Sequence, residues 1–162
     1  MKKTILNGIW QMEGNGYRCE GKIPGSVYSF LLENKLMDDP FYRDNELKAL
    51  ELMEHPYSFR RSFSFAPDGK PVFLCCDGLD TLCSIFINNK KVAETKNMHR
   101  RYRFDVTDML KKGENEILVN FAAVPPYLRQ QHSTDQFNQW ESRDSILGYC
   151  HLRKAYYMMG WD

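Results

Sequence analysis

Tyr57-Ser58-Phe59-Arg60-Arg61-Ser62-Phe63-Ser64-Phe65 is the stretch on which the fold turns. Tyr57, Phe59, Phe63 and Phe65 alternate with Ser58, Arg60, Ser62 and Ser64, and a period of two marks a strand with one buried and one wet face. Towards the C-terminus, the turn Pro67-Asp68-Gly69-Lys70-Pro71 leads into Val72-Phe73-Leu74-Cys75-Cys76, apolar on both faces and therefore expected as a central strand. Cys83–Ile87 and Lys91–Ala93 flank Asn88-Asn89-Lys90, and Asn tolerates the positive φ of a tight hairpin. Tyr102–Val106 alternates again. Thr107 is expected to cap a single turn that Gly113 ends, and Glu116–Phe121 resumes the sheet.

Towards the N-terminus, Ile5–Met12 and Tyr17–Lys22 flank Glu13-Gly14-Asn15-Gly16, which reads as a hairpin. Ser26 is placed to cap a short surface helix with Val27, Phe30, Leu31 and Asn34 on one face. Pro40 breaks the chain into a polar and aromatic loop, and Leu47–Met53 can add one or two helical turns. Some seven short strands with Gly, Pro and Asn turns predict an all-β fold: an antiparallel β-sandwich or jelly roll with one or two short helices. Residues 1–162 are expected to form one domain, with a long loop expected over about 125–145 because Pro125-Pro126 opens a run rich in Gln, Ser and His. A further strand is expected over Ile146–Met159. Gly160-Trp161-Asp162 then closes the chain without a turn or polar tail, which reads as a cut within a longer protein.

Composition narrows the function. The chain has 22 basic and 21 acidic residues and a formal charge of +1, so the concentrated basic face needed for nucleic acid or an anionic membrane is not expected. No window approaches the roughly 20 apolar residues of a membrane span. Five cysteines without a CxxC pair read as reduced, small apolar residues rather than a disulfide framework or a zinc site. The basic start lacks the apolar segment of a signal peptide, and there is no Asn-x-Ser/Thr sequon, so a cytoplasmic setting is expected. His55, His99, His132 and His151 show no metal-ligand spacing, and there is no GxSxG elbow, P-loop or GxGxxG. No catalytic residue, metal site or cofactor is therefore assigned within this chain.

Several segments together carry a family resemblance. Ile23-Pro24-Gly25-Ser26-Val27 and Asp39-Pro40-Phe41-Tyr42-Arg43-Asp44-Asn45-Glu46 resemble the N-terminal domain of family 2 glycoside hydrolases of the β-mannosidase type. Gly78-Leu79-Asp80-Thr81, followed by Ile85–Val92, is similar to the family's GLDT…xxNGxxV strand pair. Phe104-Asp105-Val106-Thr107 through Gly113-Glu114-Asn115-Glu116 resembles its FDVTxxLKxGxNxL segment. Arg153-Lys154-Ala155 and Gly160-Trp161-Asp162 resemble the RKxxxxxGWDWGP stretch of β-mannosidases. Asn89 departs from the family's usual Gly, and Gln130–Arg143 matches no family pattern.

The resemblance implies a galactose-binding-domain-like jelly roll that precedes immunoglobulin-like domains and a TIM barrel. The barrel carries both catalytic glutamates, and neither lies in this chain. It further implies that Trp161 and Asp162 are substrate-binding. The carboxylate accepts hydrogen bonds from the hydroxyls of a mannose-containing glycan, and the indole walls the ring. Arg153 and Lys154 are the supporting candidates, able to hold the Asp162 carboxylate or a neighbouring domain, with an ordinary exposed pair as the other reading. Asp39, Tyr42, Arg43, Asp44 and Glu46 read as a self-satisfied polar loop, or alternatively as a domain interface or pocket rim. Trp10 is expected in the core. Two other functions stay open at this point: an independent carbohydrate-binding module and a purely structural interaction domain.

Overall fold

The structure, a computed structural model, describes residues 3–134 and 151–155. Strand β1 (Gly8–Gly14) turns through Asn15-Gly16 into β2 (Tyr17–Ile23). The two turn residues have φ of 47° and 77°, the left-handed pair of a two-residue hairpin, which Asn and Gly adopt at low cost. Helix α1 (Val27–Glu33) begins at a capping box in which the Ser26 and Ser29 hydroxyls each accept the other's backbone N–H. Although short, α1 is more than a surface helix, because Phe30 and Leu31 are wholly buried. Helix α2 (Asn45–Leu52) follows, and β3 (Tyr57–Phe65) occupies the whole alternating stretch. Then come β4 (Phe73–Cys76), β5 (Cys83–Ile87), β6 (Lys90–Thr95), β7 (Tyr102–Asp105), β8 (Gly113–Phe121) and α3 (Val124–Thr134).

All pairings between named strands are antiparallel. Six strands form one sheet in the order β2-β1-β3-β8-β5-β6, and β4 pairs with β7 in a second. Register places Met12 beside Phe59, Phe59 beside Val119 and Val119 beside Ile85, a continuous apolar row across four strands. Burying such a row removes apolar surface at roughly 25 cal/mol per Å2, which drives the two sheets together. Leu74, Cys76, Tyr102 and Phe104 of the smaller sheet pack onto the same core, and the Phe30 ring meets Phe59 edge-on at 5.2 Å. Gly21 lets this happen: a Cβ there would sit 2.6 Å from the Phe30 ring. Trp10 is buried as expected, its indole N–H donating to Leu6 O at 2.7 Å.

The sandwich class and both hairpins match the sequence reading; several further details differ. The apolar run at Val72–Cys76 is not a central strand, since β4 belongs to a two-stranded sheet, where Cys75 is exposed and Arg103 lies over the Phe73 ring at 3.8 Å. A cation on a ring face is a favourable cover for an outward aromatic. Residues 124–134, expected as the start of a long loop, form α3, because prolines in a first helical turn forfeit only N–H groups that have no intrahelical partner. The described residues therefore hold three α-helices instead of one or two. His151–Ala155 is not a strand: its one ladder contact is an isolated parallel bridge between Asn97 and Arg153. Thr107 sits inside a 3-10 turn, Thr107–Met109, where its hydroxyl accepts the Val72 N–H at 2.9 Å and the Asp105 carboxylate accepts the Thr107 N–H.

Candidate functional site

The segment that leads to the expected sugar-contacting residues is held at one end of the sandwich by the loops that flank β5 and β6. Leu152 is buried, and Arg153 O accepts the Met98 N–H at 2.9 Å. The Ala155 N–H points at the Met98 sulfur at 2.9 Å. The Lys154 ammonium contacts the Asp80 carboxylate, which also accepts the Thr81 hydroxyl. The Asp80–Thr81 peptide is cis, and Thr81 is almost wholly buried. Of the two supporting candidates, Lys154 thus has a carboxylate partner within the domain, whereas the Arg153 side chain is exposed. Trp161 and Asp162 lie outside the described residues, as does the Gly160 before them.

A second region is built by the Gly113-Glu114-Asn115 segment. Gly113 has a φ of 92°, which a side chain would resist, and it opens β8 so that Asn115 turns inward. The Asn115 Oδ1 accepts from Lys111 N at 2.9 Å and from Asn88 Nδ2 at 2.8 Å, and its Nδ2 donates to the Lys111 and Gly113 carbonyls at 2.9 Å each. Asn88 also donates to Met109 O and accepts the Glu116 N–H. Both Asn88 and Asn89 have positive φ, so Asn89 serves the turn in place of the family's usual Gly. These residues fix the β5–β6 turn onto the start of β8 and position the sheet edge; they offer no free group for chemistry.

Two of the depressions among the described residues border the large sheet. One of about 230 Å3 is lined by Gln11, Glu13, Arg18, Ser58 and Arg60 on the wet face of the large sheet. Arg60 there is engaged by Glu116 at 3.0 Å. The other, about 650 Å3, lies among β5, β6, β8 and Tyr127 of α3, with Ser84, Glu94, Asn120 and Phe121 on its walls. Acid catalysis of glycoside cleavage needs a carboxyl held above its usual range. Among the described residues, the surroundings shift Glu54, Glu94 and Asp105, and all three downwards, by hydrogen bonds from Arg129, Lys91 and Thr107 respectively. Burial pushes the Cys76 thiol up to about 12 and raises that of Cys83, the reverse of an activated nucleophile.

In the loop at Asp39–Glu46, Asp39 and Asn45 tie down the backbone. Asp39 accepts the Phe41 N–H at 2.9 Å through its side chain, while its carbonyl takes the Tyr42 N–H at 3.1 Å and the Asn45 amide at 3.0 Å. Arg43 lies over the Tyr42 ring at 5.1 Å. Sequence reasoning missed two contacts that anchor distant parts of the chain, Lys154 to Asp80 and Arg129 to Glu54 at 2.9 Å. The Asp80 of the Gly78-Leu79-Asp80-Thr81 segment was a visible signal without a visible partner.

A sandwich whose Asn115 network and Asp80–Thr81 corner fall on the segments quoted above defines a class. Residues 10–162 match the glycosyl hydrolase 2 galactose-binding domain-like family, and the chain belongs to it. Among its relatives, the β-mannosidase of Capra hircus is 31% identical over 97% of this chain and 19% of its own length. A probable β-mannosidase of Caenorhabditis elegans is 27% identical over 98% of this chain and 19% of its own length. The crystal structure of the β-D-mannosidase from Dictyoglomus thermophilum superposes with a TM-score of 0.87 at 30% identity, covering 97% of this chain and 20% of that one. The chain thus spans about a fifth of the length of these relatives. In them this fold is one part of a larger enzyme.

Proposed function

We propose that this chain is the N-terminal domain of a β-mannosidase-like glycoside hydrolase that cleaves terminal β-D-mannosides with retention of configuration. The observation that carries the reading is the near-complete match of this one domain to β-mannosidases of an animal and a thermophilic bacterium. The two carboxyl groups of a retaining mechanism belong to a barrel elsewhere in the natural chain, beyond immunoglobulin-like domains. This domain supplies scaffold and one edge of the pocket. There Asp162 accepts hydrogen bonds from sugar hydroxyls and Trp161 offers an apolar wall, the Arg153-Lys154 segment before them being anchored to the sandwich.

The test is the protein from its complete reading frame, assayed with 4-nitrophenyl β-D-mannoside beside the β-galactoside and β-glucuronide. Preferred turnover of the mannoside, with β-mannose as the first-formed anomer by NMR, is expected; preference for another glycoside sinks the assignment. In that protein Asp162→Ala should lower kcat/KM roughly 10- to 100-fold, about the worth of one hydrogen bond to a charged group. Unchanged turnover would remove Asp162 from the pocket.

A further inference from the structure

Helix α2 is apolar on two opposite sides. Ala49 and Leu52 face the domain interior and are 7% and 8% exposed, whereas Leu47 and Leu50 are 60% and 59% exposed. At 3.6 residues per turn the two pairs point about 160° apart, with Lys48 and Glu51 between them. A helix lying on the surface of one domain needs a single apolar stripe. Two opposed stripes are the pattern of a helix covered from both sides.

The loop before α2 extends the outer stripe. Phe41 is 96% exposed and Tyr42 59%, although the Asp39 hydrogen bonds fix the loop's backbone. A loop whose backbone is tied down by its own hydrogen bonds while it holds a phenylalanine outward is organised before it meets a partner, which lowers the entropy lost on docking. The same segment, residues 38–51, carries Asp38, Asp39, Asp44, Glu46 and Glu51 against Arg43 and Lys48, an acidic excess. Interfaces are commonly built with such an apolar middle and a charged rim.

We propose that Phe41, Tyr42, Leu47 and Leu50 form a docking surface whose occupant is the part of the natural chain lying outside residues 1–162, presenting an apolar patch with a basic rim. The length of the relatives favours that occupant, because about four-fifths of each lies outside the match. A tethered body reaches the surface at high effective concentration, ahead of any free partner. The inference rests on the reading of this chain as one domain of a larger enzyme, but not on the enzyme's specificity.

The experiment is hydroxyl-radical footprinting of the full-length protein, native and in urea, with residue-level mass spectrometry and a β-mannosidase assay on the same sample. Docking predicts labelling of Phe41, Leu47 and Leu50 at least about tenfold below the urea value, since an interface core excludes water. It also predicts that Phe41→Asp with Leu50→Asp restores labelling at Leu47 while far-ultraviolet circular dichroism is unchanged. Phe41 labelled as fast in the native protein as in urea overturns the docking, even where the enzyme turns over β-mannoside. Protection that vanishes when a dimer is diluted to monomer assigns the surface to a second copy and also overturns it. Protection in a protein that ignores β-mannoside leaves the docking standing and removes the assigned specificity.

Discussion

Asn115→Leu tests whether the segment that identifies the family does so for a structural reason. Leucine keeps the branched arrangement of heavy atoms but is bulkier, so the change removes polarity without opening a cavity and adds some overpacking, since the side chain it replaces is 2% exposed. Four hydrogen bonds of 2.8–2.9 Å disappear. At about 1 kcal/mol net for each, the loss is about 4 kcal/mol, and more where the Lys111 N–H or the Gly113 carbonyl is left dry. With a urea m-value of about 2 kcal/mol per M, the midpoint of the 162-residue chain should fall by about 2 M. Asn115→Asp discriminates further. A carboxylate keeps the acceptor that Lys111 N and Asn88 Nδ2 use but turns negative charge on the Lys111 and Gly113 carbonyls. Its destabilisation should therefore shrink as acid protonates the introduced carboxyl and returns one donor. A midpoint shift below about 0.5 M for Asn115→Leu would refute the reasoning, because it would mean that water replaces the network without penalty.

Gly21→Ala should cost about 1–3 kcal/mol in thermal or urea unfolding, since its Cβ meets the buried Phe30 ring at 2.6 Å and neither strand nor ring has room to give. Alkylation by iodoacetamide at pH 8 should modify exposed Cys75 first and leave Cys76 and Cys83 nearly untouched until the protein unfolds. The same thiol gives a pH prediction. Folding raises Cys76 from an ordinary 9.0 to about 12, so its contribution to stability is whole below pH 9 and is lost progressively as pH climbs towards about 12. Cys76→Ser should flatten that alkaline slope. Lys154→Met should leave the sandwich intact yet speed amide exchange at Met98 and Ala155, which depend on the 151–155 segment staying seated.

What the sequence disclosed and what it hid divide along a physical line. β3 was legible end to end because its alternation is local and its one buried face leaves no second register. The two hairpins were legible because Asn15-Gly16 and Asn88-Asn89 are residue types that accept positive φ. The α1 cap was legible in Ser26, although the depth to which Phe30 is buried depends on the absent side chain at Gly21. β4 was misplaced because its outer face is covered by Arg103, whose partnership with Phe73 is set by strand pairing across intervening elements. α3 was hidden behind Pro125-Pro126, residues that block a helix interior and suit its first turn. Of the candidate site, the family resemblance supplied the residues. The partner of Lys154 stayed unseen because Asp80 is distant in sequence and meets it only when the sheets have formed.

The strand order has a consequence for how the chain is made. β8 lies between β3 and β5, so it joins the half of the large sheet built early to the half built late. Tyr57 pairs with Phe121, and at about 5–20 residues per second a ribosome takes roughly 3 to 13 s to travel from one to the other. For those seconds β1, β2 and β3 have emerged with one edge of β3 unpaired, an open template for another nascent chain. The charges at Arg60 and Arg61 stand on that strand, where like-charge repulsion opposes pairing between identical copies until Glu116, diagonal to Arg60 on β8, arrives to pair with it.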